Sequence, residues 1–143
     1  MDISYRRAEK SDVETIYKLS EALIYKYEDI ASIDLARVLA WVRKKIEDNI
    51  EEYRCIFADG KKAGYYRVHT ENGETEIDDL YLFSEYQRRG IGTRVIEKCC
   101  AESELPVILY VFVKNYDAVR LYKRLGFEIS ETVRGTRYIM RKN

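Results

Sequence analysis

The spacing of apolar and polar residues changes period several times along the chain, and each change marks an element. Ile3, Tyr5 and Arg7 alternate with Ser4, Arg6 and Ala8, which predicts a short first strand over 3–8. Ser11-Asp12-Val13-Glu14 has the spacing of a capping box, so a helix is expected from there. Val13, Ile16, Tyr17, Leu19, Leu23, Ile24 and Tyr27 then recur at helical spacing. A second helix is expected from about Ile33, with Leu35, Val38, Leu39, Val42, Ile46 and Ile50 as its apolar stripe. The lysines and acids between them read as its solvated face.

From Tyr53 the period drops to two. Strands are expected over 54–58, 62–70 and 75–83, separated by Asp59-Gly60 and by Glu71-Asn72-Gly73-Glu74. Tight turns between successive strands imply an antiparallel meander. A helix from Gly90 to about Cys100 follows, then a strand over 107–113 opened by Pro106. Asn115 reads as the cap of a last helix through Ala118, Val119, Leu121, Tyr122 and Leu125, ended by Gly126. A hairpin around Arg134-Gly135 closes the chain. The expected order is β-α-α-β-β-β-α-β-α-β-β, an α/β (α+β) fold with a mixed sheet and at least one parallel crossover at the helix that starts at Gly90.

That crossover contains the most informative stretch, Gln87-Arg88-Arg89-Gly90-Ile91-Gly92-Thr93. A strand enters it and a helix leaves it. Glycines two residues apart let the backbone turn tightly and approach a ligand. The helix start aims free N–H groups and the positive end of its dipole at the same turn, a setting for phosphate or pyrophosphate. A P-loop is excluded, because no Gly-x-x-x-x-Gly-Lys-Ser/Thr occurs. A dinucleotide fold fits poorly without a third glycine and an early βαβ unit.

Composition narrows the classes. The 143 residues suit one domain, 1–143, with a substantial core. Net charge is zero with 35% charged residues, whereas a generic nucleic-acid binder is basic overall. No apolar run reaches the ~20 residues of a membrane span, and the first residues lack the apolar segment of a signal peptide. Cys55, Cys99 and Cys100 are an odd number of thiols and read as reduced cytoplasmic cysteines. A single histidine, His69, with no cysteine pair at metal spacing argues against a zinc site.

Gln/Arg-x-x-Gly-x-Gly resembles the pyrophosphate loop of the GNAT superfamily of N-acetyltransferases, which use acetyl-CoA. Asn115-x-x-Ala118-x-x-x-Tyr122-x-x-x-Gly126-Phe127 resembles the segment after the fifth strand of that superfamily. The element order is similar over essentially the whole chain, so the resemblance implies a GNAT-like mixed central sheet. It also implies acetyl-CoA as co-substrate, no metal, and a primary amine as acceptor. Direct transfer would then proceed without an acyl-cysteine, since nothing positions a base beside the thiols.

The resemblance also assigns site residues. Backbone N–H groups of Arg88, Arg89, Gly90, Ile91, Gly92 and Thr93, with Gln87, would hold the phosphates. The stretch Leu80, Tyr81, Leu82 would pair with the pantetheine arm and polarise the thioester carbonyl. Asn115 would reach the arm or the adenosine side. Tyr122 would serve as acid towards the CoA sulfur. Glu76 matches the glutamate that acts as base, through water, in the histone-acetyltransferase branch. Asp78 shares its face of the strand, Asp79 points away, and His69 on the preceding strand is a further basic candidate.

From Thr70 to Tyr86 six acids (Glu71, Glu74, Glu76, Asp78, Asp79, Glu85) meet no lysine or arginine, whereas Lys114, Arg120, Lys123 and Arg124 crowd the last helix. An acidic rim for a cationic amine and a basic surface for CoA phosphates would follow. Tyr25, Tyr27, Trp41 and Tyr138 are candidate walls for the acceptor pocket, and a homodimer is open. The competing reading from another class is an acyl-CoA-binding regulator, which would keep the glycine turn and Asn115 without needing Glu76 or Tyr122.

Overall fold

The computed structural model describes residues 1–143. Its strands are β1 (Ile3–Arg7), β2 (Tyr53–Ala58), β3 (Lys61–Glu71), β4 (Glu74–Leu82), β5 (Val107–Phe112), β6 (Glu128–Val133) and β7 (Arg137–Lys142). Its α-helices are α1 (Val13–Tyr27), α2 (Leu35–Asp48), α3 (Ile91–Glu102) and α4 (Tyr116–Arg124). The strands form a seven-stranded sheet in the order β1-β2-β3-β4-β5-β7-β6. The chain divides into two compact units, one of residues 1–67 and 79–83, the other of 68–78 and 84–143.

In the first unit, β1 pairs antiparallel with β2, and β2 with β3. Asp59 and Gly60 both have positive φ, the conformation a two-residue hairpin turn demands. Ile16 and Ile24 of α1, Val42 and Ile46 of α2, and Tyr53, Ile56 and Tyr65 of the strands are buried. Each aliphatic side chain so buried contributes about 1.5–3 kcal/mol. The helix start differs from expectation. The capping box lies two residues earlier, where Glu9 N–H donates to Asp12 Oδ2 at 2.9 Å, and α1 begins at Val13. Asp12 is drawn into this role because its side chain is buried among β2 and β3. Its carboxylate also accepts from Lys62 Nζ at 2.7 Å and from the Tyr65 hydroxyl at 2.9 Å. Burial alone would raise the Asp12 pKa, but the Lys62, Glu9 and Tyr65 donors outweigh it and hold the group below its ordinary value.

In the second unit, β4 runs parallel to β5 with α3 as the crossover. β7 lies between β5 and β6 and pairs antiparallel with both. The closing hairpin thus inserts its second strand, which leaves β6 at the edge with Glu128, Ser130 and Glu131 exposed. Ile77, Ile91, Val95, Ile96, Leu109, Phe127 and Met140 are buried. The last helix ends as expected. Gly126 has φ 97°, and Phe127 N–H donates back to Tyr122 C=O at 3.0 Å.

No helix is long and apolar enough to cross a membrane.

Candidate functional site

The glycine turn belongs to the second unit. Ser84–Tyr86 makes a short 3₁₀ turn, Arg88 has φ 62° and Gly90 has φ 80°. Gly90 is the N-cap of α3 and offers no capping side chain. Arg94 N–H donates to Gly90 C=O at 3.1 Å, so the N–H groups of Ile91, Gly92 and Thr93 form the uncovered first turn. A Cβ at Gly90 would meet nothing within 4 Å. Glycine is therefore required there by the left-handed backbone rather than by crowding, and the space in front of the turn is open to an anion. Arg88 lies 3.5 Å from Asp117 at the start of α4, and Arg89 stacks its guanidinium 5.5 Å from the Tyr86 ring centre. Both arginines are exposed.

The end of β4 belongs to the first unit. Asp79 has φ 50°, which breaks the alternation of the strand. Its carboxylate accepts from the Tyr53 hydroxyl, from the Tyr81 hydroxyl at 2.7 Å, and pairs with Lys45 Nζ at 3.0 Å. Burial works to raise the Asp79 pKa, but the Lys45 charge and the two phenol donors hold it below its ordinary value. Beyond the kink, Leu80, Tyr81 and Leu82 run against β3. A Cβ on Gly64 would lie 2.0 Å from Tyr81 O, so this glycine allows a backbone approach that no other residue permits. Phe83 N–H donates to Ala63 C=O at 2.9 Å.

Within the second unit, the β4–β5 ladder is short. It joins Thr75, Ile77 and the residue between them, Glu76, to Val107, Leu109 and Ile108. β5 continues to Phe112 while keeping β7 on its other side. On the face that carries Glu76, His69 Nε2 lies 3.2 Å from Glu76 Oε1, and Asp78 joins them. The ligand atoms of these three side chains lie within 4.8 Å of one another. Tyr110 feels the same group. Burial and then the negative charge of Glu76, Glu131 and Asp78 push its phenol up, against the pull of Arg137.

Asn115 and Tyr122 belong to this unit too. Asn115 Oδ1 accepts from Ala118 N–H at 3.4 Å, so that oxygen caps α4. Tyr122 is half-buried one turn before Gly126, its ring tilted against Phe127 at 6.3 Å. Burial alone pushes its phenol up to about 12, which keeps the hydroxyl protonated at neutral pH.

Residues 14–127 match the family model described as the Acetyltransferase (GNAT) family. The chain belongs to this family. It is 33% identical over 106 residues to an uncharacterized N-acetyltransferase of Methanocaldococcus jannaschii, covering 66% of this chain and 46% of that protein. It is 29% identical over 70 residues to the spermine/spermidine N(1)-acetyltransferase of Bacillus subtilis strain 168, covering 46% of each. The chain thus spans about half the length of the curated relatives it matches. Among solved structures it is similar to the PaiA N-acetyltransferase of Thermoplasma acidophilum in complex with coenzyme A. The TM-score is 0.72 at 22% identity, with 100% of this chain and 99% of that one covered.

Against this GNAT frame, the structure puts Glu76 and Asp78 on one face, as strand spacing anticipated, and the β3–β4 hairpin brings His69 to them. It gives Asp79 a different place, inside a buried ion pair. The acidic stretch is accordingly less open than its charge suggests, since Glu74 pairs with Arg141 and Glu76 with His69. Trp41 and Tyr25, candidate pocket walls, are 63% and 52% exposed. Gly64 and Lys45 escaped the sequence reading. A glycine inside an alternating strand was the available signal for the first, whereas a lysine on a polar helix face gave none for the second.

Proposed function

We propose that this GNAT-family protein transfers the acetyl group of acetyl-CoA directly to a primary amine, and that residues 1–143 work as one acetyltransferase domain. The observation that carries the reading is the glycine turn into α3, with its uncovered N–H groups, in a chain whose family match spans residues 14–127. Gln87 and the backbone of 88–93 hold the pyrophosphate, with Arg88 and Arg89 adding positive charge. Leu80, Tyr81 and Leu82 offer a strand edge to the pantetheine arm and N–H groups to the thioester oxygen. Asn115, whose Oδ1 is engaged in the cap, presents its amide N–H₂ to the arm.

Glu76, directly or through water, takes the proton that the amine loses as its nitrogen attacks the acetyl carbon. His69 and Asp78 set its orientation and field. The C–S bond then breaks, and the electron pair leaves on sulfur. Tyr122 donates a hydrogen bond to that thiolate. Burial pushes its phenol up to about 12, so the hydroxyl stays protonated and available as a donor. The thiolate takes up one proton in all, the one that Glu76 removed from the amine, relayed through water or the Tyr122 hydroxyl.

The acidic side chains around Glu76 favour an acceptor with more than one amino group, in keeping with the named activity of the B. subtilis relative. The cytoplasm, where acetyl-CoA and free thiols coexist, is the compartment that fits. No observation favours the binding-only alternative. Release of free CoA thiol, followed with acetyl-CoA and a panel of spermidine, spermine, free amino acids and short peptides, tests the reading. Amine-dependent release with acetylated product is expected. Acetyl-CoA binding without release for any amine would contradict it.

A further inference from the structure

His69 is the only histidine of the chain, and folding sets it against two carboxylates. A two-residue turn, Asn72-Gly73, joins β3 to β4 and brings His69 Nε2 to 3.2 Å from Glu76 Oε1. Asp78 follows two residues on, on the same face, and the three sets of donor atoms lie within 4.8 Å of one another. The His69 and Glu76 side chains are only 13% and 18% exposed, so the group is sheltered yet reachable.

We propose that His69, Glu76 and Asp78 form a binding site for a zinc-class divalent transition-metal ion. One neutral imidazole nitrogen and two carboxylates balance a doubly charged ion. A nitrogen in the set favours zinc and its neighbours over calcium or magnesium, which prefer oxygen alone. Zinc sits about 2.0–2.2 Å from such ligands, so donors around one ion lie within roughly 4.4 Å of each other. The observed grouping, within 4.8 Å, is close to that limit. β3 and β4 are tied by the tight turn, and β5 holds β4 over Thr75 to Ile77, so the donors are pre-positioned. Three protein ligands leave a fourth position for water.

The acetyl transfer proposed above needs no metal. An ion here withdraws Glu76 from proton acceptance and so acts as a reversible inhibitor; this consequence, unlike the site itself, rests on the acetyltransferase reading.

The uniqueness of His69 supplies a test that requires no substitution. Zinc titrated into the metal-free protein should shift the single set of imidazole NMR signals and saturate at one ion per chain, with calorimetry giving a micromolar Kd. His69→Ala and Asp78→Asn should each weaken binding by about tenfold or more, whereas Cys100→Ser should leave it unchanged. Imidazole signals that stay put at saturating zinc would overturn the site, as would undiminished binding in both folded variants. Zinc bound at His69 that leaves thiol release unaffected would overturn the inhibitory role alone. Absence of thiol release from the metal-free protein, with zinc binding intact, would count against the transfer reading and not against the site.

Discussion

Lys45 Nζ lies 3.0 Å from an Asp79 carboxylate oxygen at the residue where β4 takes on left-handed backbone. The pair holds the strand's kink. Lys45 comes from α2, and Tyr53 of β2 and Tyr81 of β4 donate their hydroxyls to the same carboxylate. Left-handed backbone at a non-glycine residue costs about 1–3 kcal/mol and persists only when its surroundings fix it. Removing Lys45 leaves a buried carboxylate without its counter-charge. Lys45→Ala should therefore destabilise the protein by about 3–5 kcal/mol in denaturant unfolding. Adding Asp79→Asn should recover part of that loss.

Acid sensitivity follows from the same group. The folded-state pKa of Asp79 lies below its unfolded value. Its stabilising contribution is thus complete above the unfolded value and disappears as pH falls through the folded one. Unfolding free energy measured from pH 6 downwards should fall for the native protein below about pH 4. It should fall less steeply for Asp79→Asn. Parallel curves would mean that Asp79 has no share in the acid transition.

Gly64 allows β3 to approach the backbone of Tyr81 and Leu82. A methyl group there meets a carbonyl oxygen at 2.0 Å, and backbone cannot move aside as a flexible side chain can. Gly64→Ala should lower stability by about 1–3 kcal/mol and displace Leu80–Leu82, which weakens acetyl-CoA binding as well. Unchanged affinity in a folded variant would separate that stretch from the co-substrate.

Tyr122→Phe removes one hydroxyl and keeps the ring against Phe127. A donor lost from a transition-state hydrogen bond typically costs 10²–10³ in kcat. We expect kcat to fall by roughly 10²-fold with acetyl-CoA affinity within about twofold of native. Equal losses in affinity and turnover would assign the tyrosine to binding.

The thiols offer an independent check on the packing. Burial pushes Cys55 and Cys99 up to about 11. Cys100 is raised by burial as well, but is half-exposed and eased down by Lys142. An alkylating reagent at pH 8 should modify Cys100 first, and the other two only on unfolding.

Local signals made much of this fold legible. Asp59-Gly60, Asn72-Gly73 and Arg134-Gly135 each take positive φ at both residues, and each turn was visible as a glycine dipeptide between alternating runs. Asn115 and Gly126 bracket α4 as their types require. The insertion of β7 between β5 and β6 was not legible, because strand order across a sheet leaves no mark on either strand's own period. The same holds for Asp12 and Asp79. Each stands in an ordinary polar position of its segment, and only folding brings Lys62 or Lys45, distant in sequence, to the carboxylate. The glycine turn was legible because it rests on a left-handed backbone at Gly90, which glycine spacing encodes. The grouping of His69 with Glu76 and Asp78 was half-visible. Strand period gave the two acids, and the hairpin supplied the histidine.

Calorimetric titration with acetyl-CoA, on the native protein and on a Gly92→Glu variant with unchanged thermal unfolding, tests the central claim most directly. The claim predicts micromolar binding by the native protein, lost in the variant because a carboxylate occupies the first turn of α3. No binding by the native protein, or equal binding by both, would contradict it.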